Sequence, residues 1–105
     1  MEKVYERALV NRLIKRGIDV RPQHPLHVFD EDGTLLGEYF ADMLVDNRLV
    51  VELKAYSAIV NEHIAQLLGY LRSSRIENGL LINFGAPRLY IKKYILTLDG
   101  EYTSP

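Results

Sequence analysis

The 105-residue chain has no cysteine. That excludes a disulfide framework and any thiolate metal centre. No apolar run approaches the ~20 residues that a membrane-spanning helix requires. The opening residues Met1-Glu2-Lys3-Val4-Tyr5-Glu6-Arg7 are charged and lack the apolar region of a secretion signal, so a cytoplasmic protein with no membrane contact is expected. Charge of one sign is not in excess either. The formal net charge is −1, so no global field marks the chain as a nucleic-acid binder. Internal repeats, linkers and low-complexity segments are also lacking.

What is present is ordinary for a folded domain. Hydrophobic residues make up 48% and charged residues 26%, which suits one domain over residues 1–105 with a small core. Lys and Arg gather early (Lys3, Arg7, Arg12, Lys15, Arg16, Arg21), centrally (Arg72, Arg75) and late (Arg88, Lys92, Lys93). They form one basic face only if the fold brings the groups together.

Residues 2–16 read as an amphipathic helix, with Val4, Ala8, Leu9, Leu13 and Ile14 as its apolar positions and Gly17 as its stop. Glu2, Glu6, Leu9 and Leu13 share one side, so an acid lies at the margin of the apolar stripe. For Glu2, a favourable interaction with the helix dipole is the simpler account. Residues 18–29 are extended, with Pro22 and Pro25 imposing an irregular or edge position. Asp30-Glu31-Asp32-Gly33 is a turn and lacks the alternating ligands of a calcium loop. His24 and His27 have no carboxylate at metal-ligand spacing, which favours structural or surface roles.

Two further strands are expected over residues 34–45 and 48–54. Alternation places Phe40, Asp42 and Leu44 on one face of the first. On the second it separates Leu49, Val51 and Leu53 from Val50, Glu52 and Lys54. Burying such charges costs several kcal/mol unless they are paired or bound to a metal. A two-residue turn at Asp46-Asn47 would set Asp42 against Val51 and part the two acids. A three-residue loop, Asp46-Asn47-Arg48, sets Val45 against Leu49 and Asp42 against Glu52. Asn tolerates the left-handed conformation such a loop needs, and this register is expected.

A second helix covers residues 57–75, starting at Ser57 or at Asn61-Glu62, with Ile64, Leu67, Leu68 and Leu71 as its stripe. His63, Gln66 and Tyr70 form a polar ridge beside it. Gly69 in mid-helix suggests close packing. The run Gly79-Leu80-Leu81-Ile82-Asn83-Phe84 reads as a buried central strand. A last strand follows over residues 88–96, and the polar tail from Thr97 is expected to fray.

Two carboxylates converging from neighbouring strands can hold a divalent cation. Mg2+ or Mn2+ is the natural choice, because sulfur is absent and no histidine has ligand spacing. Lys54, on the face of Glu52, would orient water or neutralise developing charge. Phosphodiester hydrolysis needs that set of parts.

The order helix, three-stranded meander, helix, two strands, with Asp42 and Glu52-Leu53-Lys54, resembles the PD-(D/E)XK nuclease superfamily. Ala41 stands where the eponymous Pro would be. Within it the chain is similar to the bacterial GxxExxY proteins, on five collinear blocks. These are Glu-Lys-Val-Tyr-Glu-Arg-Ala-Leu (2–9), Ala-Asp-Met-Leu-Val (41–45), Val-Val-Glu-Leu-Lys-Ala (50–55), Ala-Gln-Leu-Leu-Gly-Tyr-Leu (65–71) and Gly-Leu-Leu-Ile-Asn-Phe-Gly (79–85).

The resemblance implies a mixed α/β, restriction-endonuclease-like fold and an endonuclease-like, Mg2+-dependent (or Mn2+-dependent) deoxyribonuclease centred on Asp42, Glu52 and Lys54. The Glu-x-x-Tyr of the motif maps onto Glu2 and Tyr5, and its leading Gly has no counterpart before Met1. The segment Glu6-Arg7-Ala8-Leu9-Val10 looks like the first helix of archaeal Holliday-junction resolvases, which makes Glu6 a metal ligand beside Asp42 and Glu52; Glu2 is the alternative. Gln66-x-x-x-Tyr70 looks like a motif of exonuclease-type members and adds Gln66 to the catalytic set. Tyr70, His63, Arg72 and Tyr5 are the candidate substrate contacts. DNA is the expected partner, and a homodimer the simplest way for one site per chain to cut both strands. A catalytically silent nucleic-acid-binding or protein-interaction module is the other reading, and a structural domain with a buried Glu52–Lys54 ion pair the third.

Overall fold

Helical periodicity yields helices at both expected places, α1 (Glu2–Lys15) and α2 (Asn61–Ser74). The computed structural model describes residues 2–97 and the backbone of residues 102–103. After α1, Gly17 takes the left-handed conformation at φ 75°. The Gly17 and Ile18 amides close the helix on the carbonyls of Ile14 and Leu13. The apolar stripe is Leu9, Val10 and Leu13, whereas Val4 and Ile14 are exposed. Extending that stripe one turn back leads to Glu6, the one buried residue of α1.

The later of the two expected starts holds for α2. Val60 is extended there, its N–H donating to Nδ1 of His63 at 3.1 Å. Ile64, Leu67, Leu68 and Leu71 all join the core, as their spacing predicts. At the far end Arg75 is left-handed, with its N–H on the Leu71 carbonyl.

The strands are β1 (Val20–Phe29), β2 (Leu35–Val45), β3 (Leu49–Lys54), β4 (Asn78–Asn83), β5 (Tyr90–Leu96) and the short β6 (Tyr102–Thr103), in the spatial order β1-β2-β3-β4-β5-β6. β3 and β4 are parallel, as a crossover through α2 requires, and the other pairs are antiparallel. β1, with Pro22 and Pro25, lies at the sheet edge. Between β1 and β2 the acidic segment makes a turn, with Gly33 at φ 87°. The tail from Thr97 does not simply fray, since Tyr102 and Thr103 pair back onto β5; the rest of it lies outside the described residues.

α1 covers one face of the sheet over Met43, Val51 and Leu53. α2 covers the other, over Ala41, Leu44, Val50 and Leu81. Strict alternation therefore fails in β2. Ala41 and Met43 are two residues apart, which in a regular strand means one face, yet they lie in opposite cores. Phe40 and Leu44 do not share a face as expected, and the switch falls at Asp42. β1 has the same break opposite it. Val20 packs in the α1 layer and Leu26 in the α2 layer, and between them Gln23 is left-handed at φ 50°.

The close approach of helix to sheet is at Gly79, not Gly69. A Cβ on Gly79 would sit 3.0 Å from side-chain carbons of Leu67 and Leu71, whereas nothing lies within 4 Å of one on Gly69. A second close contact ties the loops after the parallel strands. The buried Asn83 side chain accepts from Tyr56 N–H and donates to Tyr56 C=O, both at 2.9 Å. A Cβ on Gly85 would fall 2.4 Å from the Ala55 backbone. Phe84 N–H also donates to Lys54 C=O at 3.0 Å.

Gly69→Ala should raise stability by up to about 1 kcal/mol, because an open helical site gains propensity without a clash. Asn83→Ala should lower it by about 2–3 kcal/mol, by stranding two backbone groups of Tyr56. Urea unfolding of both variants checks these values.

Candidate active site

The connection between β2 and β3 uses three residues, Asp46, Asn47 and Arg48. Asp46 and Asn47 are both left-handed, at φ 51° and 59°. The loop closes through Arg48 N–H on the Val45 carbonyl at 3.1 Å, and Asp46 N–H is anchored on Asp19 C=O at 2.8 Å. Val45 consequently faces Leu49, Leu44 faces Val50 and Met43 faces Val51. One step further, Asp42 leaves the ladder and its Oδ2 accepts from Leu53 N–H at 2.7 Å. That bond holds the Asp42 carboxylate beside Glu52.

Glu52 is buried on the α2 side of β3, and its Oε1 has no hydrogen-bond partner among the described residues. Burial pushes its carboxyl up to about 8, the neighbouring Asp42 carboxylate adds to the rise, and Lys54 partly opposes it. Lys54 makes no ion pair with Glu52 among the described residues. Its Nζ donates instead to Gln66 Oε1 at 3.1 Å. The purely structural reading, a buried Glu52–Lys54 pair, loses its support.

Tyr70, one turn along α2 from Gln66, stacks on Tyr39 of β2 with ring centroids 3.4 Å apart. The Tyr39 hydroxyl is buried and lacks a hydrogen-bond partner among the described residues. Burial first, and then the charge of Glu52, hold both phenols above their ordinary range. Two tyrosines, Gln66 and Lys54 thus surround the acid.

From the α1 side, Glu2, Lys3, Glu6, Asp42 and Leu53 line a cleft of about 200 Å³. Glu6 accepts from Gln23 Nε2 at 2.6 Å and pairs with Lys3 at 3.1 Å. Both first-helix acids therefore reach the cleft of Asp42, but Glu6 has its own partners. Among the described residues no three His, Asp or Glu side chains gather closely enough to hold an ion alone.

Of the expected substrate contacts, Tyr5 stacks on Phe84 with centroids 4.2 Å apart, and His63 lies against Tyr56 at 4.3 Å. Arg72 is exposed and, at about 100° per residue, lies about 200° round α2 from Tyr70. It is not brought to the carboxylates. His27 pairs across the β1–β2 ladder with Glu38 at 2.6 Å, a partner that no sequence spacing showed.

Sequence reasoning missed Gln23, Tyr39 and Asn83. Tyr39 lies three residues before Asp42, so regular alternation assigns them opposite faces; only the break at Asp42 lets both approach Glu52. Gln23 contacts Glu6 only because β1 breaks at the same level. Asn83 sat inside an apolar run, and its lone polar side chain was the available signal.

The model of the PD-(D/E)XK nuclease superfamily matches residues 1–94, and the chain belongs to that superfamily. It is similar in fold to the crystal structure of SSO0001, with a TM-score of 0.66 at 19% identity, over 87% of this chain and 48% of that one. The chain thus spans about half the length of that protein. No curated protein matches it significantly. The restriction-endonuclease-like α/β fold read from the sequence is the fold observed.

The raised carboxyl of Glu52 has a consequence for folding. Its folded value, about 8, lies above the ordinary 4.5, so its stabilising effect is complete below 4.5. It is lost progressively as pH rises towards 8. In chelator, wild type should lose stability between pH 5 and 8, and Glu52→Gln should lose far less; urea midpoints across that range are the measurement.

Proposed function

We propose that the protein is a divalent-cation-dependent nuclease that hydrolyses phosphodiester bonds in DNA. The observation that carries this reading is the buried Glu52 carboxylate, with an unpartnered Oε1, set against Asp42 and close to Lys54. Two crowded carboxylates destabilise each other in the absence of a cation, and the set of hard oxygens without sulfur suits Mg2+ or Mn2+. Asp42 and Glu52 would hold the ion, joined by Glu6 or Glu2 from α1. Such an ion polarises a phosphoryl oxygen and acidifies bound water.

The chain's own residues supply the rest. Lys54 Nζ spends one of its three donors on Gln66 Oε1, leaving two to orient the attacking water or meet charge developing on the phosphate. Gln66 is the group that fixes the ammonium. Tyr70 and Tyr39 wall this space on the α2 side and restrict water around Glu52. Tyr5 and His63 stand as substrate contacts, and Arg72 as a peripheral one.

Within the superfamily we assign the chain to the GxxExxY proteins, on its five blocks and on Glu2 facing the cleft of Asp42. Residues 1–105 act as one domain in this reading, and a homodimer would place two sites on a duplex. One observation favours the alternative of a silent nucleic-acid-binding module: Glu6 is occupied by Gln23 and Lys3.

Labelled duplex, single-stranded and branched DNA, incubated with Mg2+ or Mn2+, separates the readings. Cleavage is expected, and Lys54→Ala and Asp42→Asn should each reduce it at least about 100-fold without lowering the melting temperature substantially. Salt-dependent binding with no cleavage by wild type would establish the module instead. Mg2+ should raise the melting temperature of wild type at pH 8 and leave that of Glu52→Gln nearly unchanged.

A further inference from the structure

Two aromatic pairs lie where the chain leaves the carboxyl ends of the parallel strands that carry Glu52 and Asn83. Tyr5 rests one face on Phe84, the residue that follows β4 and whose N–H bonds the Lys54 carbonyl. Tyr56, two residues beyond Lys54, rests one face on His63, one turn ahead of Gln66 on α2. Each tyrosine nevertheless leaves 49% of its surface exposed. Tyr56 is also anchored through its backbone. Asn83 clamps the Tyr56 backbone through two hydrogen bonds, and Gly85 lets the two loops touch.

A half-exposed aromatic ring, stacked on one face and near the proposed cleavage centre, has an evident use. A base stacks on such a ring only if its own face is free, and the bases of an intact duplex have none to offer. We propose that Tyr5 and Tyr56 are stacking platforms for unpaired bases on either side of the scissile phosphate. The substrate class is then a nucleic acid with a single-stranded segment, such as a flap, an overhang or an open junction. Arg88, exposed on the loop after β4, supplies a cation for the adjoining backbone. This rests on the nuclease reading for the phosphate's position, but the stacking role stands or falls by a separate measurement.

The measurement is fluorescence anisotropy in chelator, so that nothing is cut, with labelled single-stranded, flapped and blunt duplex DNA of one sequence. Wild type should bind the first two more tightly than the blunt duplex. Tyr5→Ala and Tyr56→Ala should each weaken that binding about 10-fold, weaken blunt-duplex binding by a clearly smaller factor, and be rescued by Tyr5→Phe and Tyr56→Phe. Equal losses on all three DNAs, no loss at all, or a Phe variant as weak as Ala would overturn the proposal, with melting curves verifying that each variant is folded. If duplex DNA is cleaved and the Ala variants bind and cut like wild type, the nuclease reading survives and the stacking role fails. If wild type binds none of the DNAs in chelator, the stacking role fails, and the cleavage assay with Mg2+ or Mn2+ alone decides the nuclease reading.

Discussion

The three-residue connection between β2 and β3 is the constraint on which this molecule depends. Two consecutive left-handed residues, Asp46 and Asn47, let the chain reverse with Val45 opposite Leu49. From that pairing the rest follows by counting back along the ladder until Asp42 comes abreast of Glu52. A loop one residue shorter would shift the register and turn one acid to the opposite face, because side chains in a strand alternate. The Leu53 amide then captures the Asp42 carboxylate and fixes a position the ladder alone would leave open.

Around that pair the fold places groups that keep Glu52 dry. α2 brings Gln66 to Lys54 and Tyr70 to Tyr39. α1 brings Glu2 and Glu6 to the opposite side of Asp42. The cost of crowding two carboxylates is visible in the raised carboxyl of Glu52, which the charge of Lys54 only partly opposes. A site that is electrostatically unfavourable by itself, inside a chain of the PD-(D/E)XK nuclease superfamily, is what supports the proposal of a bound cation there.

The matched break in β1 and β2 is what gives Asp42 access to both layers. At Gln23 and Asp42 the strands exchange faces, so Leu26, Tyr39 and Ala41 on the hairpin side of the break pack under α2, while Val20, Met43 and Val45, at the alternate positions beyond it, pack under α1. A regular strand would have pointed Asp42 into one layer only. Here its carboxylate lines the α1-side cleft while meeting Glu52, whose side chain belongs to the α2 side. The two helices, which never share a face of the sheet, both contribute to one centre as a result.

Local physics determined much of this in advance. Apolar spacing located both helices, alternation set Glu52 and Lys54 on one face of β3, and the need of a three-residue loop for a residue such as Asn47 selected the register. These are short-range rules, and a single sequence expresses them directly. What it did not express were the consequences of elements meeting: Tyr39 beside Glu52, Gln23 on Glu6, Asn83 tying the Tyr56 loop, and the helix pressing on Gly79 while Gly69 stays open. Each joins residues far apart in the chain, or depends on a break in a strand that periodicity treats as regular. Only the tertiary packing of both helices on the twisted sheet decides where such side chains come to rest.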